Sequence, residues 1–243
     1  MIAAVVVARS AGQASLTGCR VTIGRTSYVM DLEQAANATT IAAVGQRRGL
    51  PDHAVTVALA AALQESGLHN LDYGDRDSLG LFQQRPSQGW GTAADIMNPR
   101  YAADAFYSRL SQVANWQALA VADAAQAVQR SADASAYAKW EVQARVLALA
   151  LTGQGADALA CRYPRLAASG LSAGLGAAIG DELGPARTDV PVSSARGWTA
   201  ALWLVGHAQR YGLSTVAFSG WRWTAATGVW RSDPSADTAV RFT

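Results

Sequence analysis

Three short groups of residues have the types and the order that acid–base chemistry on a glycosidic bond requires. Gln64-Glu65-Ser66-Gly67 is followed by Gly80-Leu81-Phe82-Gln83-Gln84 and then by Asn98-Pro99, which opens a helix. Cleavage of a glycosidic bond needs a carboxylic acid that still holds its proton near neutral pH. A glutamate in the last turn of an apolar helix is suited to this, because dry surroundings and the negative helix end both disfavour a carboxylate. Glu65 is therefore the candidate general acid, and Gln83 is a candidate hydrogen-bond partner for a sugar.

A second carboxylate would decide which glycosidase mechanism applies. An inverting enzyme places it roughly 6.5–9.5 Å from the acid, and a retaining enzyme roughly 5–5.5 Å away. Asp72, Asp75 and Asp77 lie in the polar, turn-rich stretch after the Glu65 helix and are the candidates nearest in sequence. The alternative is an ordinary polar loop with an internal Asp–Arg pair. A calcium loop of the EF-hand type is disfavoured, because the glycine is misplaced and the bidentate Glu is missing.

Other chemistries find little support in the sequence. The three histidines, His53, His69 and His207, are scattered and have no partners at metal-ligand spacing, so we predict no metal site and no cofactor. Serine motifs of acyl hydrolases are absent, and nothing around Cys161 indicates a cysteine nucleophile. The net charge is only +2, and Arg47-Arg48 is the one adjacent basic pair. We therefore expect no nucleic-acid partner.

The spacing of the first two groups resembles a known family signature. Glu65-Ser66, followed 15 residues later by Gly80-Leu81-Phe82-Gln83, is similar to the Glu-Ser … Gly-Leu-Met-Gln signature of soluble lytic transglycosylases and goose-type lysozymes. The stretch 60–91 more closely resembles a group of secreted actinobacterial lysozyme-like proteins, and the resemblance extends over about residues 19–161. It implies an extracytoplasmic enzyme that cleaves the β-1,4 bond between N-acetylmuramic acid and N-acetylglucosamine in peptidoglycan. It further implies that Glu65 is the general acid/base and that Gln83 contacts the glycan.

The sequence departs from this family at one motif. The family's later Ala-Tyr-Asn-Ala-Gly is absent, and residues 127–131 stand in its place with Tyr137 nearby. We predict the following substrate-binding residues: Ser66, Gly80, Leu81, Phe82, Gln83, Gln84, Gln129 and Tyr137. The departure leaves two products open, a hydrolysed end or a 1,6-anhydro end formed with one glutamate acting alone. It also leaves open a non-catalytic protein that binds peptidoglycan in a lysozyme-like groove.

Hydrophobic periodicity and turn residues predict an α+β protein. A short β-hairpin over 19–32 precedes helices over about 31–48, 51–67, 100–114, 118–131 and 136–151. After these come a helix over about 196–211 and strands near 214–218, 221–224, 228–231 and 238–242. The fold class expected is a mainly α-helical lysozyme-like domain preceded by the hairpin, together with a small C-terminal α+β domain.

Composition divides the chain into four predicted parts. Residues 1–18 form an N-terminal segment, 19–161 the lysozyme-like catalytic domain, 162–193 a Gly/Ala-rich linker, and 194–243 the C-terminal domain. The apolar run at residues 2–8 is too short to cross a bilayer, so membrane contact would require a missing N-terminal anchor. In the last part Trp198, Trp203, Trp221, Trp223 and Trp230 either fill a small core or bind sugars. We expect a monomer.

The two cysteines allow three interpretations. Cys19 and Cys161 would close a loop of 142 residues as a disulfide, or remain two unrelated buried thiols. Alternatively, Leu16-Thr17-Gly18-Cys19 would be a lipoprotein cleavage site, although the apolar run before it is too short. The extracytoplasmic setting implied by the resemblance favours the disulfide.

Overall fold

The computed structural model describes residues 17–131, 135–163, 166, 174–184 and 190–243. It is a mixed α+β structure with an N-terminal sheet, a helical body and a C-terminal antiparallel sheet. Nearly all of the N-terminal segment predicted at 1–18 lies outside the described residues. In the described ranges no helix combines the length and apolar character needed to span a bilayer.

The helical body contains the predicted helices in the predicted order, together with one short helix that was not predicted. Its helices are α1 (Leu32–Arg47), α2 (Asp52–Ser66), α3 (Ala93–Ile96), α4 (Pro99–Leu110), α5 (Val121–Gln129) and α6 (Glu141–Leu149). The helix that was not predicted is α3, and the bounds of the others lie within a few residues of the predicted ones, except that α6 begins at Glu141 and not at about residue 136. The predicted helix start at Asp31 is confirmed by a capping box. The Asp31 carboxylate accepts from the Gln34 backbone N–H at 2.8 Å, and the Gln34 side chain accepts from the Asp31 N–H at 2.9 Å.

Helix α2 is the central helix of this body. Every residue from 54 to 63 is buried, and the helix packs against α1, α4, α5 and α6. It ends at Gly67, whose φ of 63° lies in the left-handed region that a helix C-cap favours. A helix held on so many sides gives the residues of its last turn, Glu65 among them, a rigid base.

The N-terminal sheet has three strands, one more than predicted. The predicted hairpin is β1 (Gly18–Ile23) with β2 (Thr26–Met30), and β3 (Leu159–Arg162) pairs with the other edge of β1. The β1–β3 register places Cys19 opposite Cys161, with a Cα–Cα distance of 4.0 Å, and the two form a disulfide. Of the three interpretations, the disulfide is thus the one confirmed. Such a bond indicates an oxidising, extracytoplasmic environment.

The C-terminal part also contains the predicted elements. The predicted helix is interrupted at His207, giving α8 (Ser194–Gly206) and α9 (Ala208–Tyr211). The strands β4 (Thr215–Phe218), β5 (Trp221–Thr224), β6 (Val229–Ser232) and β7 (Arg241–Phe242) form a sheet of order β6-β5-β4-β7. Four of the five tryptophans here are buried, at 0–7% exposure, and Trp221 is partly buried. The core interpretation therefore fits these side chains better than sugar binding does.

The stretch predicted as a linker differs from the expectation. It contains α7 (Leu175–Leu183), which packs against α1 and buries Leu175, Ile179 and Leu183. Helix α8 likewise packs against α1 and β3. One continuous hydrophobic core therefore includes both the helical body and the C-terminal part. The Gly and Ala content that suggested a linker instead belongs, at residues 174–184, to a helix with small side chains.

Candidate active site

Glu65 lies in the last turn of α2, partly buried, and its carboxylate has a specific partner. The phenolic oxygen of Tyr137 donates a hydrogen bond to Glu65 Oε1 at 2.6 Å. Tyr137 is fully buried and immediately precedes a 3-10 turn at Ala138–Trp140. The sequence predicted both residues for the site, and the structure brings them together across 72 positions of the chain.

Tyr137 stays a hydrogen-bond donor over the whole physiological pH range. Burial, followed by the hydrogen bond to Glu65, raises the pKa of the Tyr137 phenol well above its usual value. The phenol therefore keeps its proton and holds Oε1 of the carboxylate. No hydrogen bond to Glu65 Oε2 is found among the described residues.

The predicted Gly-Leu-Phe-Gln turn is fastened directly to the end of α2. The Ser66 hydroxyl donates to the Leu81 carbonyl at 2.8 Å. Leu79 and Gln84 exchange two backbone hydrogen bonds of 2.9 Å, which close the turn between them. Gly80 has φ of +73°, and a Cβ there would lie 2.8 Å from the Ile96 carbonyl oxygen, so glycine is required. The hydrogen bond between Ser66 and Leu81 thus gives a physical reason for the spacing between the Glu65-Ser66 group and the Gly80–Gln83 group.

Two other predicted contact residues, Gln83 and Gln129, donate hydrogen bonds to backbone carbonyls in and around the turn. Gln83 is partly exposed, and its amide donates to the Tyr73 and Gly80 carbonyls at 3.2 and 3.3 Å. Gln129, on α5, donates to the Phe82 carbonyl at 2.8 Å and so supports the turn. Gln129 and Tyr137 thus both contact the residues of the candidate site.

Three predicted substrate contacts are not supported by the structure. The side chains of Leu81 and Phe82 are completely buried, and the Phe82 ring stacks on Phe106 at 4.8 Å. Gln84 is 1% exposed, and its amide donates to the Ala102 carbonyl at 3.0 Å. These side chains hold the turn in the core. For Gln84 the residue type gives no sign of burial, because the burial depends on how α4 packs against the turn.

The three candidate second carboxylates lie on the loop after α2. Asp77 accepts from Arg85 Nε at 2.6 Å and from the Ser87 backbone N–H at 2.8 Å. Hydrogen bonds from Ser87 and Arg85 hold the pKa of Asp77 well below its usual range. Asp75 is 86% exposed and lies 3.8 Å from Arg76, and Asp72 is also exposed. The loop therefore matches the predicted polar loop with internal Asp–Arg pairs.

The sequence does not predict that Trp140 contributes to the site. Trp140 Nε1 donates to Gln64 Oε1 at 2.9 Å, one residue before Glu65. Together with Tyr137, it connects the end of α2 to the turn that precedes α6.

No cluster of three or more His, Cys, Asp or Glu side chains that could bind a metal ion is found in the described ranges. In comparisons with known proteins, no protein-family model and no curated protein matches the chain.

Proposed function

We propose that the chain cleaves the β-1,4 bond between N-acetylmuramic acid and N-acetylglucosamine in peptidoglycan, outside the cytoplasm, with Glu65 as its single general acid/base. The observation that supports this most directly is the Tyr137–Glu65 hydrogen bond of 2.6 Å beside the Gly80–Gln83 turn. The proposal includes a lysozyme-like fold for the helical body around α2. Glycan strands are the proposed partner.

In the proposed mechanism, Glu65 Oε2 gives its proton to the glycosidic oxygen as the bond to the muramic acid C1 breaks. The resulting carboxylate then removes a proton from the oxygen that attacks C1. That oxygen belongs to water in the hydrolytic outcome, or to the 6-hydroxyl of the same sugar in the 1,6-anhydro outcome. Glu65 ends protonated in both cases, so no second catalytic carboxylate is needed. The engagement of Asp77 with Arg85 and Ser87 favours this single-acid scheme.

Mass spectrometry of digested cell walls tests the proposal. The parent should release soluble muropeptides, and Glu65→Gln should lose release by at least about 100-fold. Glu141→Gln, on the exposed face of α6, is the matched control and should retain release. Anhydro ends or reducing ends in the products would identify the acceptor. If the parent sediments with insoluble walls but releases nothing, the non-catalytic wall-binding alternative replaces the proposal.

A further inference from the structure

A second site candidate lies away from Glu65, between α1, α7 and the α8–α9 pair. The cavity there has a volume of about 790 Å³, which is within the size range of pockets for small ligands. Neither Glu65 nor Tyr137 nor Gln83 lines it. Nothing in the proposed glycosidase mechanism uses it.

A buried carboxylate forms part of the wall of this cavity. Glu182, on α7, is 7% exposed, and its Oε2 accepts from Thr40 Oγ1 and from Trp203 Nε1, both at 2.7 Å. No hydrogen bond reaches Oε1 from any described residue. The side chain is thus anchored through one oxygen, while the other is left for whatever occupies the cavity.

Glu182 also lacks a cationic partner among the residues described. His207 is a titratable neighbour that is 4% exposed, and burial lowers its pKa, which disfavours its charged form. A buried carboxylate without a positive partner is costly unless it is paired or neutralised. The chemistry that complements Glu182 is therefore a cation with hydrogen-bond donors.

The remaining charges in the cavity lining have both signs. Glu33 and Asp181 are exposed acidic residues, and Arg100 and Arg210 are basic. In the described part of the chain none of these four forms an ion pair with another residue. An opening with unpaired charges of both signs suits a ligand that itself carries both.

We propose that this cavity binds an amino acid or short peptide whose primary ammonium group pairs with Glu182 Oε1, while its carboxylate lies toward the arginines at the rim. An ammonium ion supplies three donors, which fits an oxygen without a hydrogen-bond partner beside mixed polar walls. If the chain acts on peptidoglycan, an uncrosslinked peptide stem with a free amine is a source of this group. That source rests on the proposed function, whereas the binding chemistry does not.

Calorimetry on the full chain tests the ammonium pairing with two peptides. The probe is N-acetyl-Ala-Lys-Ala, which has one free amine and one free carboxylate, and the matched control carries an acetylated lysine side chain. The probe should bind at least about tenfold more tightly than the control, because acetylation removes the charge that Glu182 pairs. Equal affinities, or no binding of either peptide, would overturn the proposal.

Two variants locate the binding in the cavity. Glu182→Gln keeps an oxygen for Thr40 and Trp203 but places an amide where Oε1 was, so probe affinity should fall about tenfold or more. Ala178→Leu, on the cavity side of α7, adds volume without changing charge and should also weaken binding. Unchanged affinity in both variants would contradict the site. Glu65→Gln should bind the probe as the parent does, so failure of the glycosidase proposal and failure of this one give different results.

Discussion

The phenolic oxygen of Tyr137 lies 2.6 Å from Glu65 Oε1, although the two residues are 72 positions apart. Tyr137 is buried where the chain enters α6, while Glu65 is in the last turn of α2, and these two helices pack against each other. The orientation of the carboxylate is therefore set by the packing of α2 on α6. A fixed carboxylate is what proton transfer to one particular oxygen requires.

Tyr137→Phe should lower the rate of wall cleavage by about 10- to 100-fold, because Glu65 would lose the donor that orients it. Release of soluble muropeptides at a fixed pH measures the effect.

Tyr107→Phe is the matched control for this change. Tyr107 is equally buried, and its hydroxyl donates to the Ile41 carbonyl at 2.9 Å rather than to Glu65. It should lose stability without losing the rate of wall cleavage. A Tyr137→Phe enzyme with the parent's rate would show that the phenol has no positioning role.

The sequence predicts the parts of the site that depend on local rules. The apolar run before Glu65 predicts the helix, Gly67 its end, and Gly80 the tight turn, because each follows from backbone preference. Burial of Gln84 could not be predicted, because its amide nitrogen donates to a carbonyl of α4 that only tertiary packing brings near. The same applies to the contact between Trp140 and Gln64.

The fold, like the site, contains elements that the sequence predicts and elements that it does not. The approximate bounds of most helices and of the C-terminal strands can be predicted from hydrophobic periodicity and from turn residues. β3 is not predicted by the sequence, and it forms by pairing with the edge of β1 that β2 leaves open. The Gly and Ala content around α7 predicts a linker, because small residues favour flexible segments, whereas the Leu and Ile side chains of α7 are buried against α1 and the rest of the core.

Loss of the disulfide should strongly destabilise the chain. Cys19 and Cys161 are separated by 142 positions, and the chain-entropy model assigns roughly 4–5 kcal/mol to closing such a loop. Urea unfolding of the double variant Cys19→Ala/Cys161→Ala should show this loss. The parent treated with reductant should fall to a similar stability, and the double variant should not respond to reductant. Equal midpoints with and without reductant in the parent would contradict the prediction.

The His69–Asp31 pair should make stability depend on pH. His69 Nε2 lies 2.8 Å from Asp31 Oδ2, and that hydrogen bond raises the pKa of His69 above 6.5. Burial acts to raise the pKa of Asp31, but hydrogen bonds from the Gln34 backbone and from His69 lower it below 3.8. The contribution of His69 is present below pH 6.5 and is lost as pH rises through its folded-state pKa. That of Asp31 is present above pH 3.8 and is lost as pH falls.

The measurement compares the parent with His69→Gln at pH 5.5 and 8.5 by urea unfolding. The parent's advantage should be roughly 0.2–1 kcal/mol larger at the lower pH, because both side chains are partly exposed and screened by solvent. The two proteins differ only at residue 69, so a pH-dependent difference between them is assigned to that side chain. A difference that is the same at both pH values, or larger at pH 8.5, would refute the assignment.

The C-terminal part should be required for folding of the part that carries Glu65. Trp230 Nε1 donates to the Leu159 carbonyl at 2.8 Å, and Trp223 Nε1 donates to the Cys161 carbonyl at 3.0 Å. Both carbonyls belong to β3, which pairs with β1 and holds the disulfide. A fragment of residues 17–163 would expose these carbonyls and the apolar face that α8 covers. We expect it to lack a cooperative unfolding transition, while the full chain unfolds in one step.

A point variant tests the same coupling within the intact chain. Trp230→Phe removes the indole donor while keeping an aromatic ring, and it should cost about 1 kcal/mol or more, because a buried carbonyl loses its partner. Trp221→Phe, in the neighbouring strand and only partly buried, is the matched control and should cost less. Amide exchange in β1 and β3 should accelerate in Trp230→Phe and not in the control. A folded, cooperative 17–163 fragment would instead mean that residues 194–243 pack against the helical body without supporting it.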